Sequence, residues 1–147
     1  MNVDRDRNMA LKPSYNAKLY LPGLSNTEIL ILALEASQKL EWNIEEVTPE
    51  GIRFEVPFSI RSHGEAITFT IEKGSDGEVS VRSQSSSVQF VDYGKNRKNI
   101  QKLRETMEEI KASLTPEELA QRAKDFEEEF NLSLIHISEP TRLRRIS

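Results

Sequence analysis

The chain has 147 residues, of which 37% are hydrophobic and 30% charged, with a formal net charge of −4; this balance suits one water-soluble globular domain and leaves no room for two. It contains no cysteine, which excludes disulfides, thiolate metal sites and a cysteine nucleophile and mildly favours a reducing compartment. The longest wholly apolar run, Ile29–Leu34, closes at Glu35, far short of the about 20 residues of a membrane span, and Met1–Met9 lack the apolar core of a signal peptide.

Met1–Asn8 is polar and aperiodic, a disordered or mis-assigned start, since Met9 serves equally well as a first residue. Tyr15–Leu21 reads as a first strand, with Tyr15, Ala17, Leu19 and Leu21 on one face, broken by Pro22-Gly23. Ser25-Asn26-Thr27-Glu28 has the spacing of a capping box, in which the Ser25 hydroxyl and the Glu28 carboxylate satisfy each other's backbone N–H groups. A helix should follow from about Asn26 to Leu40. It is apolar almost all round near Ile29–Leu34, which predicts burial.

Strands come next. Trp42, Ile44 and Val47 suggest a short one ahead of Gly51. Ile52, Phe54, Val56, Phe58 and Ile60 alternate without a miss, the signature of a half-buried strand; Pro57 on its other face points to an edge position or a bulge. Ile67, Phe69 and Ile71 repeat the pattern, as do Val79 and Val81, and Gly74-Ser75-Asp76-Gly77 between them predicts a hairpin. Ser83–Ser87 suggests an edge strand or a loop. Short connections imply antiparallel pairing.

Ile100, Leu103, Met107, Ile110 and Leu114 form one helical seam suited to lying on the sheet. Thr115-Pro116-Glu117-Glu118 opens a third helix with Thr115 as its cap. Its seam of Leu119, Ala123, Phe126 and Phe130 is thin and its composition acidic, so it is expected to project from the domain rather than complete it. The fold class is α+β: an antiparallel four- to five-stranded meander sheet with two helices packed on one face, plus a C-terminal third helix. Residues 9–114 make the α+β domain and residues 115–131 the C-terminal helix.

Leu132–Arg142 reads LSLIHISEPTR and resembles one reading frame of the transposon-end adapter used in sequencing libraries. The frame requires the next codon to begin with C, which Leu143 obeys. Arg144 and Arg145 then fall in the variable index, and Ile146-Ser147 resume the constant adapter. Residues 132–147 are therefore set aside as a non-native tail, and the natural protein is expected to continue past Asn131. Removing Arg142, Arg144, Arg145 and Glu139 from the 20 basic and 24 acidic residues leaves 17 and 23, a net charge of −6. Removing His136 leaves His63 as the one histidine.

Catalytic candidates are few. His63 lies beside Ser62 in an expected turn, Arg61–Glu65, where adjacent residues rarely reach each other as nucleophile and base. No phosphate-cradling glycine loop and no metal-ligand spacing is present, so no catalytic residue, cofactor or metal is assigned. The charged feature that suggests binding is the stretch from Gly94 to Arg104, which carries Lys95, Arg97, Lys98, Lys102 and Arg104 and no acid. Cations at a helix start oppose its dipole unless Asp92 caps the helix or an anion binds there. An anionic membrane surface or a protein partner fits this segment. Nucleic acid does not, because the genuine domain is acidic and no aromatic run accompanies the cations.

Two stretches carry a resemblance: Leu32–Ile44 (LALEASQKLEWNI) and Val91–Ile100 (VDYGKNRKNI). Over roughly residues 9–130, Thr115-Pro116-Glu117-Glu118 included, the chain resembles a soluble domain found ahead of the membrane segments of some rhomboid-family intramembrane serine proteases. There the second stretch usually reads Asp-Trp-Gly-Lys-Asn-Lys-Lys-Asn; Tyr93 stands for the tryptophan and Arg97 for one lysine, and glycine is commoner at the position of Glu41. The resemblance implies a non-catalytic accessory domain on the cytoplasmic side, tethered to the inner membrane in a full-length parent. It implies no catalytic residue here, because a rhomboid's serine and histidine lie on transmembrane helices that nothing in this chain matches. The alternative is a stand-alone binding module for an anionic ligand or a protein partner.

Overall fold

A computed structural model describes residues 14–57, 64–85 and 93–137. The expected continuation of the third strand through Phe58 and Ile60, the Ser62-His63 turn, Ser86-Ser87 and the Asp92 cap lie outside these residues, as does Met1–Asn8.

In chain order the elements are β1 (Ser14–Tyr20), α1 (Asn26–Lys39), β2 (Asn43–Thr48), β3 (Gly51–Val56), β4 (Glu65–Ile71), β5 (Glu78–Ser85), α2 (Tyr93–Ser113) and α3 (Pro116–Ile137). The five strands form one antiparallel sheet in the order β1-β5-β4-β3-β2. It is a meander from β2 to β5 with β1 closing against β5, the α+β architecture expected from the alternation of apolar residues.

The side-chain period of two sets the inner face. One cross-strand row runs Val47–Ile52–Phe69–Val81–Ala17 and the next Ile44–Phe54–Ile67–Ser83–Tyr15. Phe54, Ile67, Phe69, Val79 and Val81 are buried there, against Ile29 and Leu32 of α1 and Leu103 and Met107 of α2 in one core. Trp42 meets the Phe54 ring edge-on with centroids 5.9 Å apart. Ile44 and Val47 are three residues apart, so a regular strand would point them to opposite faces. The register shift between Ile44 and Glu46 inserts one extra residue and brings both to the inner face, although Ile44, on the edge, stays 41% exposed.

Two expectations about strands are corrected. β3 lies between β2 and β4, so Pro57 marks neither an edge nor a bulge: pairing stops at Val56, one residue before a proline that has no N–H to donate. Ser83 and Ser85 belong to β5, an interior strand, and are buried on its inner face. Glu65, expected in a turn, is the first residue of β4 and is also buried.

The capping box of α1 forms as expected, with the Glu28 N–H donating to Ser25 Oγ at 3.1 Å and the Ser25 N–H donating to Glu28 Oε1 at 2.9 Å. The same helix ends in a Schellman motif. The Trp42 N–H donates to the Ser37 carbonyl and the Glu41 N–H to the Gln38 carbonyl, with Glu41 at φ 62°. That left-handed conformation costs a side-chain-bearing residue about 1 kcal/mol, which explains why glycine suits this position. Glu41→Gly is expected to raise stability by about 1 kcal/mol, read as a higher urea midpoint; an unchanged or lower midpoint refutes the strain.

α3 does not project. Thr115 caps it reciprocally with Glu118, and it runs antiparallel along α1: the Glu35 carboxylate pairs with Arg122 at 2.5 Å, and the Thr27 hydroxyl donates to Glu127 at 2.6 Å. Leu119 and Ala123 are buried, and Phe126 packs on the core and stacks on Phe130. α1 is thus covered by the sheet, by α2 and by α3, so an all-round apolar stretch finds a partner on every side. α3 continues past Asn131 to Ile137, into the adapter-like stretch. No helix among the described residues is long and apolar enough to cross a membrane.

Candidate functional site

The charged segment at the start of α2 divides into two faces. At 100° per residue the buried side of α2 carries Asn96, Asn99, Ile100, Leu103, Met107 and Ile110. Arg97, Lys98, Lys102 and Arg104 are exposed. Lys95 parts company with them. It is half-buried and turns inward, its Nζ 3.6 Å from Glu65 Oε2.

The apolar seam of α2 therefore extends one turn backwards as a polar one. Opposite it, the inner face of the sheet also turns polar at one end, where Val56, Glu65 and Ser85 stand in one row. The two halves interlock. Ser83 Oγ donates to Asn96 Oδ1 at 2.7 Å, and Asn96 Nδ2 donates to Ser85 Oγ at 3.2 Å. Asn99 Nδ2 donates to Glu65 Oε1 at 2.9 Å and lies 3.4 Å from Ser83 Oγ. The Glu65 side chain is 0% exposed. Its Oε2 receives no hydrogen bond, so the Lys95 ammonium is the charge that compensates it.

This arrangement accounts for Lys95, Asn96 and Asn99. Lys95, Asn96 and Asn99, at the spacing of one helical turn, dock α2 on β4 and β5. A polar network of this kind fixes the sliding position of a helix more sharply than interchangeable apolar contacts do. It also answers the dipole problem. α2 has no acidic residue in its first turn, and Glu65 brings a carboxylate to that end from another strand. The signal for the network was present in the sequence: Ser83 and Ser85 continue the phase of Val79 and Val81, and Asn96 and Asn99 that of Ile100 and Leu103.

The four outward cations remain. None of them makes an ion pair with a described residue, and they cover the solvent arc of the first half of α2, with Glu105, Glu108 and Glu109 following in the second half. The last turn of α2 carries Lys111, a cation that suits the C-terminal end of the dipole.

No curated protein matches the chain, and no solved structure does. A match does cover the sheet, α1 and most of α2, stopping short of α3: it spans residues 10–107, about two-thirds of the sequence, and the chain accordingly belongs to the family described as "Protein of unknown function (DUF1499)".

Proposed function

We propose that this is a non-catalytic accessory domain of a larger membrane protein, the soluble N-terminal part of a rhomboid-type intramembrane serine protease, and that the outer face of α2 rests on anionic lipid headgroups. The observation that carries the surface contact is the separation of the two faces of α2. The helix is held to the sheet by Lys95, Asn96 and Asn99, while Arg97, Lys98, Lys102 and Arg104 stay outside, none of them paired with a carboxylate among the described residues. A cation near an anionic bilayer contributes about 1 kcal/mol, and α2 presents four of them along its outer side between Arg97 and Arg104.

Sedimentation with vesicles tests the contact. Binding is expected to vesicles of phosphatidylcholine with phosphatidylserine and not to phosphatidylcholine alone. Making Arg97, Lys98 and Lys102 neutral should weaken it on the order of a hundredfold, from about 1 kcal/mol per cation. Equal binding by the neutral variant removes the lipid contact. The parent is tested separately by reassembling the gene beyond the codon for Asn131. Several hydrophobic segments and a Gly-x-Ser-Gly motif are expected, and an early stop codon refutes the protease assignment.

A further inference from the structure

The helices cover one face of the sheet; among the described residues nothing covers the other. Between β1, β5 and β4 lies a hollow of about 540 Å³ whose polar lining is Asn16, Lys18, Thr68, Thr70, Ser80, Arg82 and Gln84. These three are adjacent strands whose backbones are fixed by two full ladders. The polar groups are two cations, three hydroxyls and two amides, with no carboxylate among them.

The charges are not equivalent. Lys18 is tied to Glu78 at 3.1 Å; the hydrogen bond to that carboxylate, and then its charge, raise the lysine above its ordinary range. Ser80 donates to Glu72. Both acids sit at the hairpin end of β4 and β5. Arg82 lies four residues further along β5, and its guanidinium makes no hydrogen bond or ion pair with any described residue. Asn16 stands directly across from it on β1 and Thr68 on β4. Beyond Thr68 the same row continues to Arg53 of β3, 4.0 Å from Glu46. Tyr20, on the same face of β1, is 68% exposed.

We propose that this open face is a binding site for an anionic saccharide, with Arg82 pairing with its carboxylate. The charge complementarity is specific. A guanidinium presents a planar fork to a carboxylate, and Asn16, Thr68 and Thr70 beside it donate and accept as sugar hydroxyls require. The strand backbones hold these groups in place before the ligand arrives, so little ordering is needed on binding.

The test is a titration of the whole chain with glucuronate, followed by the backbone amide signals of β1, β4 and β5. Shifts centred on Asn16, Thr68 and Arg82 are expected. Arg82→Gln should weaken binding about tenfold, the loss of one charge-assisted hydrogen-bonding group, and leave the remaining amide spectrum intact. Glucose tests the charge, and acetate or inorganic phosphate tests the hydroxyl body; each should bind far more weakly than glucuronate. Equal binding of glucose, equal binding of acetate or phosphate, or undiminished binding by Arg82→Gln overturns the proposal. Neutralising Arg97, Lys98 and Lys102 on α2 should leave the titration unchanged, so this site and the lipid contact fail or stand separately.

Discussion

Lys95→Met should destabilise the domain by about 3–5 kcal/mol, the range for breaking one side of a buried ion pair. The reason is the asymmetry of the pair. The Lys95 side chain is 34% exposed and keeps access to water, whereas the Glu65 side chain is wholly enclosed. Removing the lysine leaves a carboxylate whose Oε2 already lacks a hydrogen bond. Removing the acid instead leaves a cation that can swing outward. Glu65→Gln should therefore cost less than Lys95→Met, because the amide oxygen still accepts from Asn99. The double variant Glu65→Gln/Lys95→Met should recover most of the loss. Urea unfolding of the four proteins at neutral pH reads all of this as a double-mutant cycle. A Lys95→Met protein as stable as its parent means that α2 is not docked through this pair.

The second large effect is expected at the centre of the sheet. Phe69 is fully buried on β4, the middle strand, with Ile52 and Val81 as its cross-strand neighbours. Strands on both sides and helices above limit how far the site can collapse, so Phe69→Ala should cost about 3–5 kcal/mol. Thr70→Ala, one residue along and on the open face, should stay within about 0.5 kcal/mol. Comparable losses at the two positions, measured by the same urea titration, would falsify the division of the sheet into a packed and an open face.

The sequence revealed the fold wherever apolar residues carried the period. Ile52–Phe54–Val56, Ile67–Phe69–Ile71 and Ile100–Leu103–Met107–Ile110 all face the core, and both helix caps formed at the serine and threonine that announced them. Legibility failed where a buried position is polar. Ser83, Ser85, Asn96 and Asn99 occupy core phases but look like surface residues, because their partners are distant in sequence and their burial depends on pairs formed only in the fold. Lys95 reads like its exposed neighbours for the same reason: a run of like charges does not say which member a carboxylate on a distant strand will claim. The docking of α3 was half legible. Its own seam was too thin to show it, while the all-round apolar character of α1 already required a third covering surface.

The extra residue in β2 shapes how this sheet meets other chains. Around it stand Glu45 and Glu46, both exposed, on a border strand whose pairing is locally irregular. A strand arriving from another molecule encounters there a bent outline and negative charge, two of the features that deter runaway polymerisation through sheet margins. β1, at the opposite margin, is regular along its pairing with β5 and carries Lys18, a charge that also discourages strand addition. The two margins are thus guarded by opposite signs, acid beside β2 and base beside β1.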